Sequence, residues 1–506
     1  MKAIFTNSQD LEKSAKEKFL FPPFLMMENA AAGMEASVME VLRQNESAVN
    51  AGAKSAVNAR PCKILIVCGS GNNGGDGYAL ARRISGKAEV ECTLIALSQP
   101  KTEEAIHQRQ MAEAAGISVL TEADFWALEK TEGLSDFSVI VDCILGTGFT
   151  GQLRENIAYI VEKLNELPAY KIACDIPTGL RFKADTTITM GCLKTALFSD
   201  RAKAVCGKII IAGLGISREK FESCGNPDAF LIEESDIKLP LRKNKAAHKG
   251  TFGHTAVFAG EKSGAGILAA TAALNFGSGL VTLVKSQNSN LAQFKISPEL
   301  MISDQIPANT SCVLIGSGLG FGAAADKALQ KVFDWYKNAK SAACVLDADL
   351  FSNKKLFEIL QTLSALQPQG KIILTPHLKE LKNLYQAIFP EKEISVEELT
   401  FAERRIEIGK EITAKFPNLT VIMKSANTFI ANGGQTYICD RGTQSLAKAG
   451  SGDVLAGMAA ALLAQGYTAL DAAITAVYAH ALAGSSFANG EDWGLTAEKL
   501  INRLGK

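Results

Sequence analysis

The sequence predicts two α/β domains, each a largely parallel sheet covered by helices, and three observations carry that expectation. Apolar runs of strand length alternate with longer segments of helical period along nearly the whole chain, the pattern of strands buried on both faces. The 506 residues amount to about three times the roughly 150 of an ordinary domain. Near the middle, the charged and weakly periodic stretch Glu233-Glu-Ser-Asp-Ile-Lys-Leu-Pro-Leu-Arg-Lys-Asn-Lys245 reads as a connector. The boundary is therefore placed near residue 230, giving domains over 1–230 and 231–506.

In chain order, apolar runs predict strands at 63–68, 90–97, 139–145, 171–176 and 208–212 in the first domain. In the second they predict strands at 255–259, 280–284, 312–315, 342–346, 371–374, 420–424 and 428–431. No short-period repeat runs through the chain, which sets aside solenoids and propellers.

Composition narrows the function. Lys and Arg number 53, as do Asp and Glu, so no net charge draws the chain to nucleic acid or anionic lipid. A polyanionic ligand must be held locally. Hydrophobic residues at 47% and charged residues at 21% suit a folded globular chain and not a disordered one. The eleven cysteines are scattered with no C-x-x-C pair, which argues against a disulfide framework or a zinc cluster and for a reducing, cytoplasmic setting. The N-terminal hydrophobic stretch is too short for a signal peptide. The apolar run from Val454 to Ala464 falls well short of the roughly 18 residues of a membrane span.

Three loops of the first domain carry chemistry. Gly69-Ser-Gly71-Asn72-Asn73-Gly74-Gly75-Asp76-Gly77 follows an apolar strand and opens a helix near Tyr78, so inward backbone N–H groups and a helix N-terminus suit a phosphate. A nicotinamide-dehydrogenase reading also wants an acidic residue at the end of the next strand. That strand ends Ile95-Ala-Leu-Ser-Gln-Pro, without one. The alternative is a glycine turn that only packs strand against helix. Asp142-Cys-Ile-Leu-Gly146-Thr147-Gly148-Phe149-Thr150-Gly151-Gln152 and Asp175-Ile-Pro177-Thr178-Gly179 leave the same edge of the sheet, where ligands of parallel sheets sit. Asp142 and Asp175 close apolar runs, so each needs a partner such as a cation or a substrate proton. Asn73, Asp142 and Thr178 offer only oxygen, which suits a hard cation such as K⁺.

With Met27-Glu28-Asn29-Ala30 ahead of them, these motifs resemble, in this order, the NAD(P)H-hydrate epimerase domain, over roughly residues 1–230. The resemblance implies a Rossmann-like three-layer α/β/α fold. By it, Asn72, Asn73, Gly74, Gly75 and Asp76 with Gly146, Thr147, Gly148, Phe149, Thr150, Gly151 and Gln152 would cradle the hydrated dinucleotide. Asp175 would be the acid/base, and Asn73, Asp142 and Thr178 would bind K⁺. Thr178 stands where serine is commoner. Lys194 either assists proton transfer, as a lysine in this position does in the family, or is a solvated surface residue.

The second domain carries its sharpest signal at Ala449-Gly450-Ser451-Gly452-Asp453-Val454. Backbone N–H groups of Gly450, Ser451 and Gly452 at a helix start would hold a transferring phosphoryl group while Asp453 takes a hydroxyl proton. This is the constellation of ribokinase-like phosphoryl transfer. The alternative is that Asp453 only caps the helix. Further motifs are His248-Lys-Gly-Thr-Phe-Gly-His254, Gly316-Ser-Gly318-Leu-Gly320, Thr375-Pro-His377 and Lys424-Ser-Ala-Asn-Thr428. A lysine at a strand end with a nearby hydroxyl suits nucleotide phosphate or ribose, whereas His377 alone is as readily a loop histidine.

Together these motifs resemble the ADP-dependent NAD(P)H-hydrate dehydratase domain, over about residues 235–506, and imply a ribokinase-like α/β fold. Ala265, Gly318, His377 and Asp453 would contact the hydrated dinucleotide. Lys424, Ser425, Ala426, Asn427, Thr428 and Gly452 would hold ADP and its product AMP. Ser425 and Ser451 replace the commoner glycine and threonine. Mg²⁺ is expected because phosphoryl transfer needs charge neutralisation, with Asp347 or Glu380 reaching it through water.

The joint expectation is a bifunctional metabolite-repair enzyme. It would interconvert the R and S forms of hydrated NAD(P)H and dehydrate the S form with ADP. Its partners would be small molecules, its assembly a homo-oligomer, and it would bind neither nucleic acid nor membrane. The rival expectation is a vitamin or sugar kinase with a regulatory or merely ligand-binding first domain.

Overall fold

The computed structural model describes residues 1–50, 61–149, 151–339, 342–369, 371–487 and 492–505. The chain divides into two compact units, Ala3–Pro227 and Asp228–Lys506, the latter joined by Met1–Lys2.

The strands of the first stretch are β1 (Lys2–Phe5), β2 (Cys62–Cys68), β3 (Val90–Ala96), β4 (Val119–Thr121), β5 (Val139–Cys143), β6 (Tyr170–Cys174), β7 (Thr186–Met190), β8 (Leu193–Lys194) and β9 (Lys208–Ala212). Seven form one sheet in the order β4-β3-β2-β5-β6-β7-β9, every pairing parallel, while β1 pairs separately with β8. Alternate residues of β2 go to opposite faces, as a period of two requires. Ile64, Ile66 and Cys68 enter one core, and Leu65 and Val67 enter the other. The result is a three-layer sandwich. Strand β7 lies outside the runs expected from apolarity because its sequence is Thr-Thr-Ile-Thr-Met. Its three threonines are nonetheless buried, and Thr187 satisfies its hydroxyl on the carbonyl of Cys206 at 2.7 Å.

In this order β2 leads to β3 on one side, and β5 leads to β6 on the other, so the connections diverge between β2 and β5. Such a switch point leaves a crevice beyond the strand ends. Glycines make the turn after β2 close. A Cβ on Gly69 would lie 1.9 Å from the carbonyl oxygen of Ile144, and one on Gly74 would lie 2.2 Å from that of Gly69. The helix expected near Tyr78 begins at Asn72 and runs to Ile84, after Gly71 as N-cap. Gly74, Gly75 and Asp76 are thus helical, and packing by small residues lets the helix start at the sheet edge.

The second unit contains β10 (Ala229–Leu231), β11 (His254–Ala259), β12 (Leu280–Lys285), β13 (Met301–Ser303), β14 (Cys312–Ile315), β15 (Ala343–Leu346), β16 (Lys371–Leu374), β17 (Leu419–Met423), β18 (Thr428–Asn432) and β19 (Gln435–Cys439). Their order is β13-β12-β11-β14-β15-β16-β17-β18-β19-β10. The β17-β18-β19 meander is antiparallel on an otherwise parallel sheet. Its switch point lies between β11 and β14. Helices Ser263–Asn275 and Ser451–Ala464 cross closely there, because a Cβ on Gly457 would stand 2.1 Å from the carbonyl oxygen of Ala269. Among the described residues no helix is long and apolar enough to cross a membrane, and all eleven cysteines are free thiols.

Gly69→Ala should lower stability by about 1–3 kcal/mol, as overpacking does. Gly213→Ala, which meets nothing within 4 Å and has no positive φ, should stay within about 0.5 kcal/mol. Urea unfolding of the two variants beside the parent checks the contrast.

Candidate active sites

In the first unit the switch point opens into a cavity of about 720 Å³. Asn72, Asn73 and Asp76 line it from the helix start, Gly146, Thr147, Gly148 and Phe149 from the loop after β5, and Asp175 from the end of β6. Gly74 and Gly75 do not line it; they serve packing, Gly75 against Met27. Gly151 and Gln152 border a second cavity, of about 380 Å³, with Arg181 and Arg201. Thr150 lies outside the described residues. The opposite wall was not foreseen. Gln9, Glu12, Lys13 and Lys16 supply it from helix Ser8–Phe19, whose N-cap Asn7 accepts from the backbone of Gln9.

Asp175 is the focus of this cavity. Its φ is +67°, a left-handed conformation that carries strain of about 1–3 kcal/mol in a non-glycine residue. Its Oδ1 lies 2.6 Å from Lys194 Nζ and accepts from Met190 N at 3.3 Å. Its Oδ2 accepts from Thr147 N at 3.2 Å and Thr147 Oγ1 at 3.1 Å. Burial would raise this carboxyl, but the Lys194 charge and these N–H groups hold it below its ordinary value. Lys194 is no surface lysine: its side chain is 2% exposed, and it also donates to Met190 O at 2.8 Å and Thr189 Oγ1 at 3.0 Å. Burial opposes its charge, and Asp175 restores it and raises the pKa.

Asp142 and Thr178 meet, but the partner comes from the protein. Thr178 donates to Asp142 through its backbone N at 2.8 Å and its hydroxyl at 2.7 Å, and Ile144 N donates at 3.1 Å. Burial still pushes Asp142 up to about 6. Asn73 lies on the cavity, with both amide atoms buried and unpartnered. A Cβ on Gly146 would lie 3.3 Å from Asn73 Oδ1 and 3.0 Å from Asp175 Oδ2, so glycine keeps the space between them open.

In the second unit, Asp347 at the end of β15 gathers the site. It is 2% exposed and accepts from Ser317 Oγ at 2.8 Å, Thr375 Oγ1 at 2.6 Å and Lys424 Nζ at 3.4 Å. Ser317 and Thr375 lie within motifs the sequence singles out, Gly316-Ser-Gly318 and Thr375-Pro-His377, but a hydroxyl at a strand end does not by itself indicate a bond to Asp347. Lys424 stands against the helix start, 3.2 Å from where a Gly452 Cβ would be. Asp453 does not cap that helix: the N-cap is Gly450, with φ +87° and no side-chain cap bond. Burial and then Asp347 push Asp453 up to about 6, with Ser317 close enough to bond it.

Gly318, with φ +61°, faces helix Ser263–Asn275, where its Cβ would lie 3.0 Å from that of Ala265. These two are thus brought together, through Ser317, beside Asp453. His377 is an N-cap in a capping box with Glu380, its Nδ1 accepting from Glu380 N at 3.2 Å, and it bridges Lys424. Burial raises Glu380 to about 7. Lys424 to Asn427 form the turn between β17 and β18, and Thr428 opens β18. Buried Arg405 secures the turn, donating to Asn427 O at 2.8 Å with its guanidinium 4.0 Å from the centre of the Phe429 ring.

Comparison with known proteins bears on both units. Residues 255–506 match the family described as NAD(P)H-hydrate dehydratase, and residues 24–196 match that described as YjeF-related protein N-terminus. The bifunctional NAD(P)H-hydrate repair enzyme of Helicobacter pylori is 38% identical, with all of this chain and 99% of the relative covered. That of Escherichia coli is 29% identical over 88% of this chain and 85% of its own. An ADP/ATP-dependent NAD(P)H-hydrate dehydratase of Bacillus subtilis, co-crystallised with ATP and Mg²⁺, is 25% identical at a TM-score of 0.45, covering 55% of this chain and 96% of its own.

Lys194→Met would leave the Asp175 carboxylate buried without its counter-charge, at a cost of about 3–5 kcal/mol near neutral pH. Because the folded Asp175 pKa is depressed, the stability it contributes is complete above the ordinary carboxylate range and lost as pH falls through the folded value. Urea midpoints of parent and variant should therefore converge on acidification.

Proposed function

This chain belongs to the family of bifunctional NAD(P)H-hydrate repair enzymes, and we propose on that premise how its residues divide the work. The first unit interconverts the R and S forms of hydrated NADH and NADPH. The second dehydrates the S form with ADP, giving NAD(P)H, AMP and phosphate. One observation carries the assignment of residues: each unit sets a lysine–carboxylate pair at the ends of its strands, Lys194 with Asp175, both buried, and Lys424, 21% exposed, with buried Asp347.

The hydrate carries its hydroxyl on a carbon bonded to ring nitrogen, so the centre inverts once that bond or the carbon–oxygen bond opens. Asp175, kept ionised by Lys194, is the base. Asn72, Asn73, Asp76 and Gly146 to Phe149 bind and orient the hydrated ring and its phosphates. The oxygen donors Asn73, Asp142 and Thr178 suit K⁺. The unpartnered Asn73 oxygen fits that role, and the ion would supply fixed positive charge near the substrate.

In the second unit Asp453 takes the hydroxyl proton as the oxygen attacks the terminal phosphorus of ADP, and AMP leaves. Backbone N–H groups of Gly450 and Gly452 face the developing charge, that of Ser451 being bonded to Lys448 O at 3.2 Å, and Lys424 neutralises phosphate. Ala265, Gly318 and His377 border the hydrated ring, and the Lys424 to Thr428 stretch borders the adenine nucleotide. The ring nitrogen then expels phosphate, a proton leaves the adjoining carbon, and the double bond returns. Both Asp347 oxygens already accept protein donors, so Asp347 or Glu380 would hold Mg²⁺ through water, and the ion would neutralise the charge of the nucleotide phosphates.

Hydrated NADH supplied with ADP and Mg²⁺ should regain NADH absorbance, and a folded protein that restores none refutes this reading. Asp453→Asn should slow dehydration of pure S hydrate by about 10²–10⁴-fold and leave interconversion of R and S unchanged. In the parent, dehydration should rise with pH through about 6, where Asp453 gives up its proton.

A further inference from the structure

Four carboxyl groups line the first unit's cavity, Glu12, Asp76, Glu104 and Asp175; Asp76 and Asp175 sit in opposite surroundings, and only Asp175 has a chemical task so far. Asp175 is met by an ammonium, two backbone N–H groups and a hydroxyl. Asp76, on helix Asn72–Ile84, is 7% exposed and lines the same cavity. The donor on its carboxylate is the thiol of Cys174, at 3.8 Å from Oδ2, a weak one. Lys194 spends its protons on Asp175, Thr189 and Met190. The charged groups that act most on Asp76 are Asp175 at the end of β6, Glu12 of helix Ser8–Phe19 and Lys194 of β8, and Lys13, Lys16 and Glu104 line the same cavity. The first two favour a proton on Asp76, as does its burial, and Lys194 with Cys174 opposes.

We propose that Asp76 is the proton donor of the epimerisation, paired with Asp175 as proton acceptor. The inference rests on the epimerase reading and names its second catalytic residue. Two carboxyl groups whose surroundings push them apart in acidity are the usual arrangement for an acid and a base in one site. Burial, with Asp175 and Glu12, holds the Asp76 carboxyl well above the usual carboxylate range, which keeps the proton available at neutral pH.

The step balances without a co-reactant. Asp175 removes the proton of the substrate hydroxyl, the oxygen forms a carbonyl, and the bond from that carbon to ring nitrogen breaks. The electron pair goes to nitrogen, which takes the proton of Asp76. Rotation about the adjoining carbon–carbon bond presents the other carbonyl face. Nitrogen then attacks it and returns its proton to Asp76, while the oxygen recovers its own from Asp175. The product is the opposite epimer, and both side chains are as they began.

The test uses the full chain with ADP and Mg²⁺, and follows NADH recovery from R hydrate beside pure S hydrate as the internal control. Asp76→Asn has nearly the same shape but no acidic proton. It should lower kcat for R hydrate by about 10²–10⁴-fold with little change in KM and normal turnover of S hydrate, and Asp76→Glu should recover part of the loss. In the parent, R turnover should decline on the alkaline side relative to S turnover as Asp76 deprotonates. Asp76→Asn running at the parental rate overturns the proposal. Should that variant not fold, a parental R/S ratio that stays flat into alkaline pH overturns it equally. Asp175→Asn separates the two levels of argument: if it too is fully active, the epimerase reading itself fails, whereas its loss beside an active Asp76→Asn removes only the proton donor.

Discussion

A carboxylate that closes a buried strand stays charged only where donors converge on it, and this requirement organises both units. The solvation lost at such a position is worth several kcal/mol, so the loops after neighbouring strands must supply it. Asp142 draws its donors from the segments at Ile144 and Thr178. Asp175 draws on Thr147 from the loop after β5 and on Lys194 from β8. Asp347 draws on Ser317 after β14, Thr375 after β16 and Lys424 after β17. In each case the carboxylate fastens loops that belong to different strands, so satisfying the charge also fixes the rim of the crevice.

Topology decides where those rims become sites. In each sheet one pair of neighbouring strands, β2 with β5 and β11 with β14, sends its connections in opposite directions. The gap would close if helices could not approach it, and glycine permits the approach where a Cβ would strike backbone. Gly69, Gly74 and Gly316 each place a carbonyl oxygen within 2.2 Å of the missing Cβ. The same substitution freedom explains why loops that read as phosphate cradles also serve packing. At Gly74 and Gly75 packing accounts for the missing side chain, whereas at Gly146 the absent side chain leaves open the space between Asn73 and Asp175.

Much of this was legible because parallel strands buried on both faces give continuous apolar runs, and because Asp142, Asp175 and Asp347 punctuate such runs. What escaped has physical reasons. Strand β7 is threonine-rich, and its polarity hides burial made tolerable by bonds such as that of Thr187 to Cys206. Lys194 could be read as surface or buried with equal ease, since its place depends on β8 lying near Asp175 after a turn of the backbone. The cavity wall from Gln9 to Lys16 is an ordinary amphipathic helix in sequence, and only tertiary packing turns that face toward Asp175. Arg405 lies in the helix before β17, 22 residues from the Asn427 carbonyl it bonds, a relation that only the packing of that helix against the turn creates.

The helix that bears Asp453 shows how the second unit separates support from chemistry. Its first residue, Ser451, is held from behind by His480, whose Nε2 lies 3.0 Å from the Ser451 carbonyl oxygen. Burial drives that imidazole down to about 4, so it is neutral in the working range and adds no charge beneath the N-terminus. In front, Lys424 is occupied with Asp347, and burial, with repulsion from Asp347, raises Asp453. A carboxylate near 6 is ionised at neutral pH yet basic enough to accept a hydroxyl proton as phosphoryl transfer proceeds. Were Lys424 bonded to Asp453 instead, the base would be weakened and Asp347 left buried without its counter-charge. The order of pairing, lysine to the inner carboxylate and none to the outer, is therefore what leaves the outer one free to react.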